Sequence, residues 1–142
     1  MKKILIINAN YYKEISNKLI LSAKLVLKTN NFKIDIVNVP GVFEIPYMLI
    51  KYINKYDGFV VLGCVIKGET PHFDFICKTT FDSIMNISVK HKKPVGNGII
   101  TSLSLKQALE RCSNSKKSTK PNKGLESANA VLSVLKNEPE KS

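Results

Sequence analysis

Apolar residues in this chain fall into short runs and longer stripes, and their spacing switches repeatedly between two periods. Ile4 to Asn8 is a compact run, and after the polar stretch "NANYYKE" the apolar positions spread to Ile15, Leu19, Ala23, Val26 and Leu27, the spacing of one helix face. "NNF" interrupts that stripe. "KIDIVNVP" then restores a short period at Ile34, Ile36 and Val39, until Pro40 ends it. A turn at Pro40 and Gly41 leads into a helix starting near Ile45 and Pro46, because proline suits a first turn, and Asp57-Gly58 closes it. "FVVLGCVI" has almost no polar member, the pattern of a strand covered on both faces. A long helix is predicted from about His72 to Lys90, with Phe73, Ile76, Cys77, Phe81, Ile84, Met85 and Ile87 mostly inward. "HKKPVGNGIIT" gives a turn and a fourth strand, Ser104 is placed to cap "LKQALERC", and a last helix runs from about Asn122 to Lys136. Residues 137–142 are expected to be a frayed tail.

Strands that alternate with helices are joined by right-handed crossovers and build a parallel sheet with helices on both sides. The expected fold is therefore α/β, a three-layer flavodoxin-like sandwich with a four-stranded parallel sheet, and residues 1–142 form a single domain.

Composition narrows the function classes. A chain of 142 residues buries enough apolar surface to fold without disulfides or metal. No apolar run reaches the roughly 18 residues of a membrane span, and the run from Ile4 to Ile7 is too short for a secretory signal. A cytoplasmic protein without a membrane partner is expected. Cys64, Cys77 and Cys112 include no CxxC pair, which argues against a disulfide framework and against a zinc cluster. The net charge of +11 raises nucleic-acid binding as an option, yet it is almost all lysine scattered over every segment, and Arg111 is the sole arginine. A solvated basic surface accounts for that pattern, so no nucleic-acid partner is expected. The polar, basic stretch "SNSKKSTKPNKG", residues 113–124, is the one local cluster suited to meeting a phosphate. No GxSxG, Walker loop or HExxH is present to support hydrolase, nucleotide-triphosphatase or zinc chemistry.

In an open parallel sheet, ligands collect beyond the carboxyl ends of the strands. That rule selects the loops "NANYY", "PGVFEIP", "KGETPH" and "NGIITS". In the third, Gly68, Glu69 and Thr70 would offer free N–H groups to an anion at a helix N-terminus. The positive end of that helix disfavours a further positive charge at His72, which suits an imidazole that accepts a proton. The plainer alternative is that Thr70 caps the helix and His72 is an ordinary first-turn residue. His91, at the other end, reads as a capping residue. Tyr11 and Phe43 either stack a planar heterocycle or close the edge of the core. Glu44 is either a second hydrogen-bonding group or a helix N-terminal acid. Cys64 ends a buried strand and reads as an inert core thiol.

Together, "PGVFEIP" at 40–46, "LGCVIKGETPHFDF" at 62–75, "NGIIT" at 97–101, "QALER" at 107–111 and "NKG" at 122–124 have the order and spacing found in lumazine synthases. The chain resembles that family from about Ile4 to Leu135. The resemblance implies condensation of 5-amino-6-(D-ribitylamino)uracil with 3,4-dihydroxy-2-butanone 4-phosphate, releasing phosphate and water, without cofactor or metal. It implies that His72 moves protons, that Tyr11 lies over the pyrimidine, and that Val42, Phe43 and Glu44 flank the ribityl chain and ring. It further implies that Cys64, Val65 and Ile66 offer backbone groups to the pyrimidine edge, that Glu69 and Thr70 hold the phosphate through main-chain donors, and that Arg111 completes that clamp. A planar guanidinium grips phosphate with two parallel hydrogen bonds, which lysine does not reproduce.

By the same resemblance, Asn97 and Arg111 face a neighbouring subunit's site within a homo-oligomer, a pentamer. Some relatives close their pentamers into icosahedral shells. The chain departs from common family features at Asn97, where many relatives carry phenylalanine, at Asn10, in the longer run "ERCSNSKKSTKPNKG", and in lacking the N-terminal extension of many relatives. These departures lead to the expectation of a pentamer that does not form the shell. Two other classes also fit a flavodoxin-like outline: a module that holds flavin or phosphate without catalysis, and a basic nucleic-acid-binding protein. The first leaves His72 and Arg111 idle, and the second lacks a recognition motif.

Overall fold

Period-two alternation organises the centre of the molecule. In the computed structural model, which describes residues 1–114, 121–137 and 139, β1 (Lys3–Ala9) sends Ile4 and Ile6 to one side and Leu5, Ile7 and Ala9 to the other, all of them buried. The elements that follow are α1 (Lys13–Thr29), β2 (Lys33–Val39), a 3-10 turn (Val42–Glu44), α2 (Ile45–Lys51), β3 (Gly58–Ile66), α3 (His72–His91), β4 (Val95–Ser102), α4 (Leu105–Arg111) and α5 (Lys123–Lys136). The strands are all parallel in the order β2-β1-β3-β4, with Ile6 opposite Ile36 and Val60, and Val61 opposite Asn97.

One face of the sheet, through Ile4, Ile6, Val60, Leu62 and Ile100, meets Leu19, Ala23 and Leu27 of α1, Ala108 of α4 and Val131 of α5. The opposite face, through Leu5, Ile7, Phe59, Val61 and Ile99, meets Ile45 and Leu49 of α2 and Ile84 of α3. The expected three-layer α/β arrangement is the one observed. β3 is apolar throughout because its side chains reach both cores, and full burial of each large aliphatic residue there contributes about 1.5–3 kcal/mol.

Two glycines let the helices approach closely. A Cβ on Gly96 would lie 2.1 Å from the Ser127 carbonyl oxygen, and one on Gly124 would lie 2.5 Å from that of Leu19. Hence α5 rests directly on β4 and on α1. The cap anticipated at Ser104 is present, its hydroxyl accepting from Gln107 N–H at 3.2 Å, and the structure adds a second at Asn122, whose Oδ1 accepts from Leu125 N–H at 3.0 Å. The Asn122 amide also donates to Ser22 Oγ at 3.1 Å and to Asn114 Oδ1 at 2.9 Å, so the chain on either side of residues 115–120 is tied to α1.

Two expectations are corrected. α2 stops at Lys51 rather than continuing to Asp57; the chain tightens through bonds from Ile53 N–H to Ile50 O and from Lys55 N–H to Tyr52 O. This turn delivers Asp57 to the start of β1, where its carboxylate accepts from Lys3 N–H at 2.8 Å. In α3, Met85 points outward and is 63% exposed, while Thr80 and Ile84 are its fully buried residues. The cause is its place in the layer: α2 lies over β1, and α3 flanks it over β3 and β4, so α3 has a helical neighbour on one side only. Half of the basic cluster at 113–124, residues 115–120, and the tail apart from Asn137 and Pro139 lie outside the described residues.

Candidate active site

The chain leaves β1 toward β2 on one side and later enters β3 on the other, which opens a crevice above the carboxyl ends of these three strands. A groove of about 360 Å³ occupies it, lined by Tyr11 and Tyr12 after β1, Gly41, Val42 and Phe43 after β2, Cys64, Val65 and Ile66 at the end of β3, and His72 and Ile76 on α3. Three loops distant in sequence thus meet because parallel strands place all their carboxyl ends on one side.

Local chemistry fixes each wall. Tyr11 is 75% exposed and Phe43 58% exposed, so both aromatic faces are open at the groove rather than sealing the core. The Glu44 carboxylate accepts from Gly41 N–H at 3.0 Å, which secures the turn that presents Val42 and Phe43. Of the two readings open for Glu44, the helix N-terminal acid is realised, and Glu44 does not line the groove. The Cys64 thiol is buried; desolvation, with a smaller contribution from the nearby Cys112, pushes it up to about 12. A thiol so held stays protonated at neutral pH and contributes backbone and bulk rather than a nucleophile. Burial likewise pushes up the Tyr12 phenol, with Cys64 and Tyr11 adding to the effect.

At the mouth of the groove, His72 is exposed on the first turn of α3, and its main-chain N–H donates to the Thr70 hydroxyl at 3.4 Å. Pro71, not Thr70, occupies the N-cap position, and no side chain caps the helix; the Thr70 hydroxyl meets only the N–H two residues on. Among the described residues, none accepts a hydrogen bond from the main-chain N–H groups of Gly68, Glu69 or Thr70, all of which are exposed. These donors and the free end of α3 form a region suited to an anion. Among the described residues, no three His, Cys, Asp or Glu side chains are grouped to hold a metal ion.

Two exposed aromatic rings, the end of β3, an imidazole and a turn with free main-chain N–H groups are thus brought together from the loops that carry the sequence motifs. The family model for 6,7-dimethyl-8-ribityllumazine synthase matches residues 1–138. The chain belongs to the 6,7-dimethyl-8-ribityllumazine synthase family. Proteins of that name in Bartonella bacilliformis and Campylobacter jejuni (strain RM1221) are 39% and 38% identical to it, over 93% and 94% of this chain and 87% of each relative. The one from Aliarcobacter butzleri is 36% identical over 94% of this chain and 86% of its own length.

Not every residue named from the synthase pattern comes to the groove. Asn97 lies opposite Val61 on β4, five residues before the strand's end at Ser102, a distance of about 16 Å at the usual rise. Its side chain is exposed, and Oδ1 accepts from Ile99 N–H at 3.0 Å. Arg111 closes α4, half-buried, outside the groove and in none of the ion pairs among the described residues. Glu69 and Thr70 lie in the turn at the groove's mouth but do not line it. Conversely, Tyr12, Gly41 and Ile76 line it without having been singled out. Ile76 stands one helical turn after His72, so the i to i+4 relation was the available signal; Tyr12 carried none beyond its place beside Tyr11.

Among the described residues, no helix is long and apolar enough to cross a membrane.

Proposed function

We propose that this chain condenses 5-amino-6-(D-ribitylamino)uracil with 3,4-dihydroxy-2-butanone 4-phosphate to give 6,7-dimethyl-8-ribityllumazine, phosphate and water, the penultimate step of riboflavin formation. The observation that carries this reading is the groove itself, where Tyr11, Val42, Phe43, Cys64, Val65, Ile66 and His72 meet in a chain of this family. Imine formation, phosphate elimination and ring closure need two reactants held side by side and protons moved between them. Tyr11 and Phe43 offer the flat surfaces for the pyrimidine. The backbone from Cys64 to Ile66 meets its polar edge, and Val42 and Phe43 border the ribityl chain, with Glu44 steadying their turn. His72 shuttles protons, and the N–H groups of Glu69 and Thr70 receive the phosphate.

Among the described residues no lysine or arginine of the same chain lines the groove, and Arg111 lies away from it. A site shared between subunits supplies one: Arg111 and Asn97 of each subunit serve a neighbour. The apolar residues Phe75, Met85 and Val89 exposed along α3 support a further covering of this side by another copy. The assembly we propose is a cytoplasmic pentamer of single-domain subunits that does not close into a shell.

Mixing the two substrates with the purified protein and following lumazine fluorescence tests the reaction. Arg111→Lys is expected to raise KM for the phosphate ketone by about tenfold, since the paired hydrogen bonds of a guanidinium are lost. His72→Ala is expected to lower kcat more mildly, because juxtaposition of the reactants supplies much of the rate. Unchanged kinetics in Arg111→Lys would refute the clamp, and a wild-type protein that forms no lumazine would refute the activity. Size-exclusion chromatography with light scattering tests the assembly; a fully active monomer, or a mass near that of about sixty subunits, would overturn it.

A further inference from the structure

We infer that Tyr12 is a positioning residue that holds the ring of Tyr11 in place as the stacking surface of the groove. The inference rests on the reaction proposed above and extends it to a side chain with no role there. Tyr11 is 75% exposed, and a tyrosine so placed is free to change rotamer, whereas a stacking platform needs one ring orientation. Its aromatic neighbour among the described residues is Tyr12, with ring centroids 5.0 Å apart and planes at 80°, an edge-to-face contact.

Tyr12 is itself well anchored. Its side chain packs against the core cluster that contains Ile15 and Leu19, and its carbonyl oxygen accepts from Ser16 N–H at 2.9 Å at the start of α1. It also forms the wall between the groove and a second cavity of about 210 Å³, whose other sides are Lys13, Glu14, Ile15, Leu105 and Leu109. The half-buried ring thus stands behind the exposed one. Without it, the second cavity gives Tyr11 room to turn away from a bound pyrimidine.

The test is a double-mutant cycle read by equilibrium binding of 5-amino-6-(D-ribitylamino)uracil and by steady-state kinetics. Tyr12→Leu, which fills the wall without an aromatic edge, is expected to weaken binding and raise KM for this substrate about three- to tenfold, with kcat and KM for the phosphate ketone within about twofold. Tyr12→Phe is expected to recover most of the lost affinity. In a Tyr11→Leu background, Tyr12→Leu is expected to add less than about twofold, because there is no ring left to hold. Equal losses in both backgrounds, or wild-type affinity in Tyr12→Leu, would overturn the inference while leaving the reaction standing. If melting curves show that Tyr12→Leu does not fold, Tyr12→Met carries the same expectations. A wild-type protein that binds no ribitylaminouracil overturns the inference together with the reaction it rests on.

Discussion

The two helical layers treat the same sheet differently. α1 presses Ile15, Leu19, Ala23 and Leu27 fully against it and shares the layer with α4 and α5, whereas α3, the longer helix, fully buries only Thr80 and Ile84 and leaves Phe75, Met85 and Val89 in the open. Packing on the α1 side is so close that Gly96 and Gly124 have no room for a side chain, and the Asn122 amide, Ser22 and Asn114 complete one another's hydrogen bonds. On the α3 side, the buried Thr80 hydroxyl lacks a hydrogen-bond partner among the described residues. The difference teaches that the α1 layer is tied more closely to the sheet than α3 is, and that α3 carries His72 and Ile76 of the groove on the looser side. The closely packed layer gives the site its footing, since Tyr12, Cys64 and Ile66 of the groove belong to or pack against its core.

Adding bulk to the closed layer should have the largest effect. Gly96→Val would drive a branched side chain into the α5 backbone at Ser127, and a loss of about 3 kcal/mol or more is expected in urea unfolding. Near-wild-type stability would mean that α5 does not lie on β4 as closely as described. Next comes a contrast between the layers. Leu19→Ala is expected to cost about 2–5 kcal/mol, because Leu19 is fully enclosed, and Met85→Ala within about 0.5 kcal/mol in the isolated chain. If dilution separates the subunits, Met85→Ala should also dissociate at higher protein concentration than the wild type, as read by light scattering. Comparable losses of chain stability for the two variants would erase the distinction between a closely and a loosely packed layer.

The smallest effect concerns alkaline pH. The Cys64 thiol ionises near its ordinary value of 9.0 once unfolded, but only at about 12 when buried. Between those values the folded chain binds more protons than the unfolded one, so stability present below pH 9 falls as pH rises toward 12. The expected slope from this thiol is on the order of 1 kcal/mol per pH unit, and replacing Cys64 with alanine should make the alkaline decline shallower in chemical unfolding. An identical slope in that variant would show that the thiol is not enclosed as described.

Much of the architecture was legible because it depends on local spacing. The stripe from Ile15 to Leu27, the unbroken apolar run of β3, and the cap at Ser104 each declare an element within a few residues. The errors arose where a neighbour decided the outcome. Met85 has the right spacing for an inward face, but α3 lies beside α2 at one side of the layer. The helix after Pro46 had no sequence signal to stop at Lys51; the need to bring Asp57 to Lys3 shows only in the folded chain.

For the site, the same division holds. Motif residues on the loops after β1, β2 and β3 were readable as a set, since a parallel sheet must gather those loops. The exposed faces of Tyr11 and Phe43, the engagement of Glu44 with Gly41, and Tyr12 as a shared wall between two cavities were not readable, because each depends on side chains brought together from separate segments.

The order of amino acids alone determined the sequence of strands and helices, the parallel sheet, and the loops that carry the chemistry, because apolar period and turn residues act over a few bonds. Only tertiary structure decided which faces close, which ring stands against which, and that Asn97 and Arg111 lie away from their own chain's groove. Those outcomes are set by packing among distant segments, where excluded volume and desolvation act between residues that no local pattern connects.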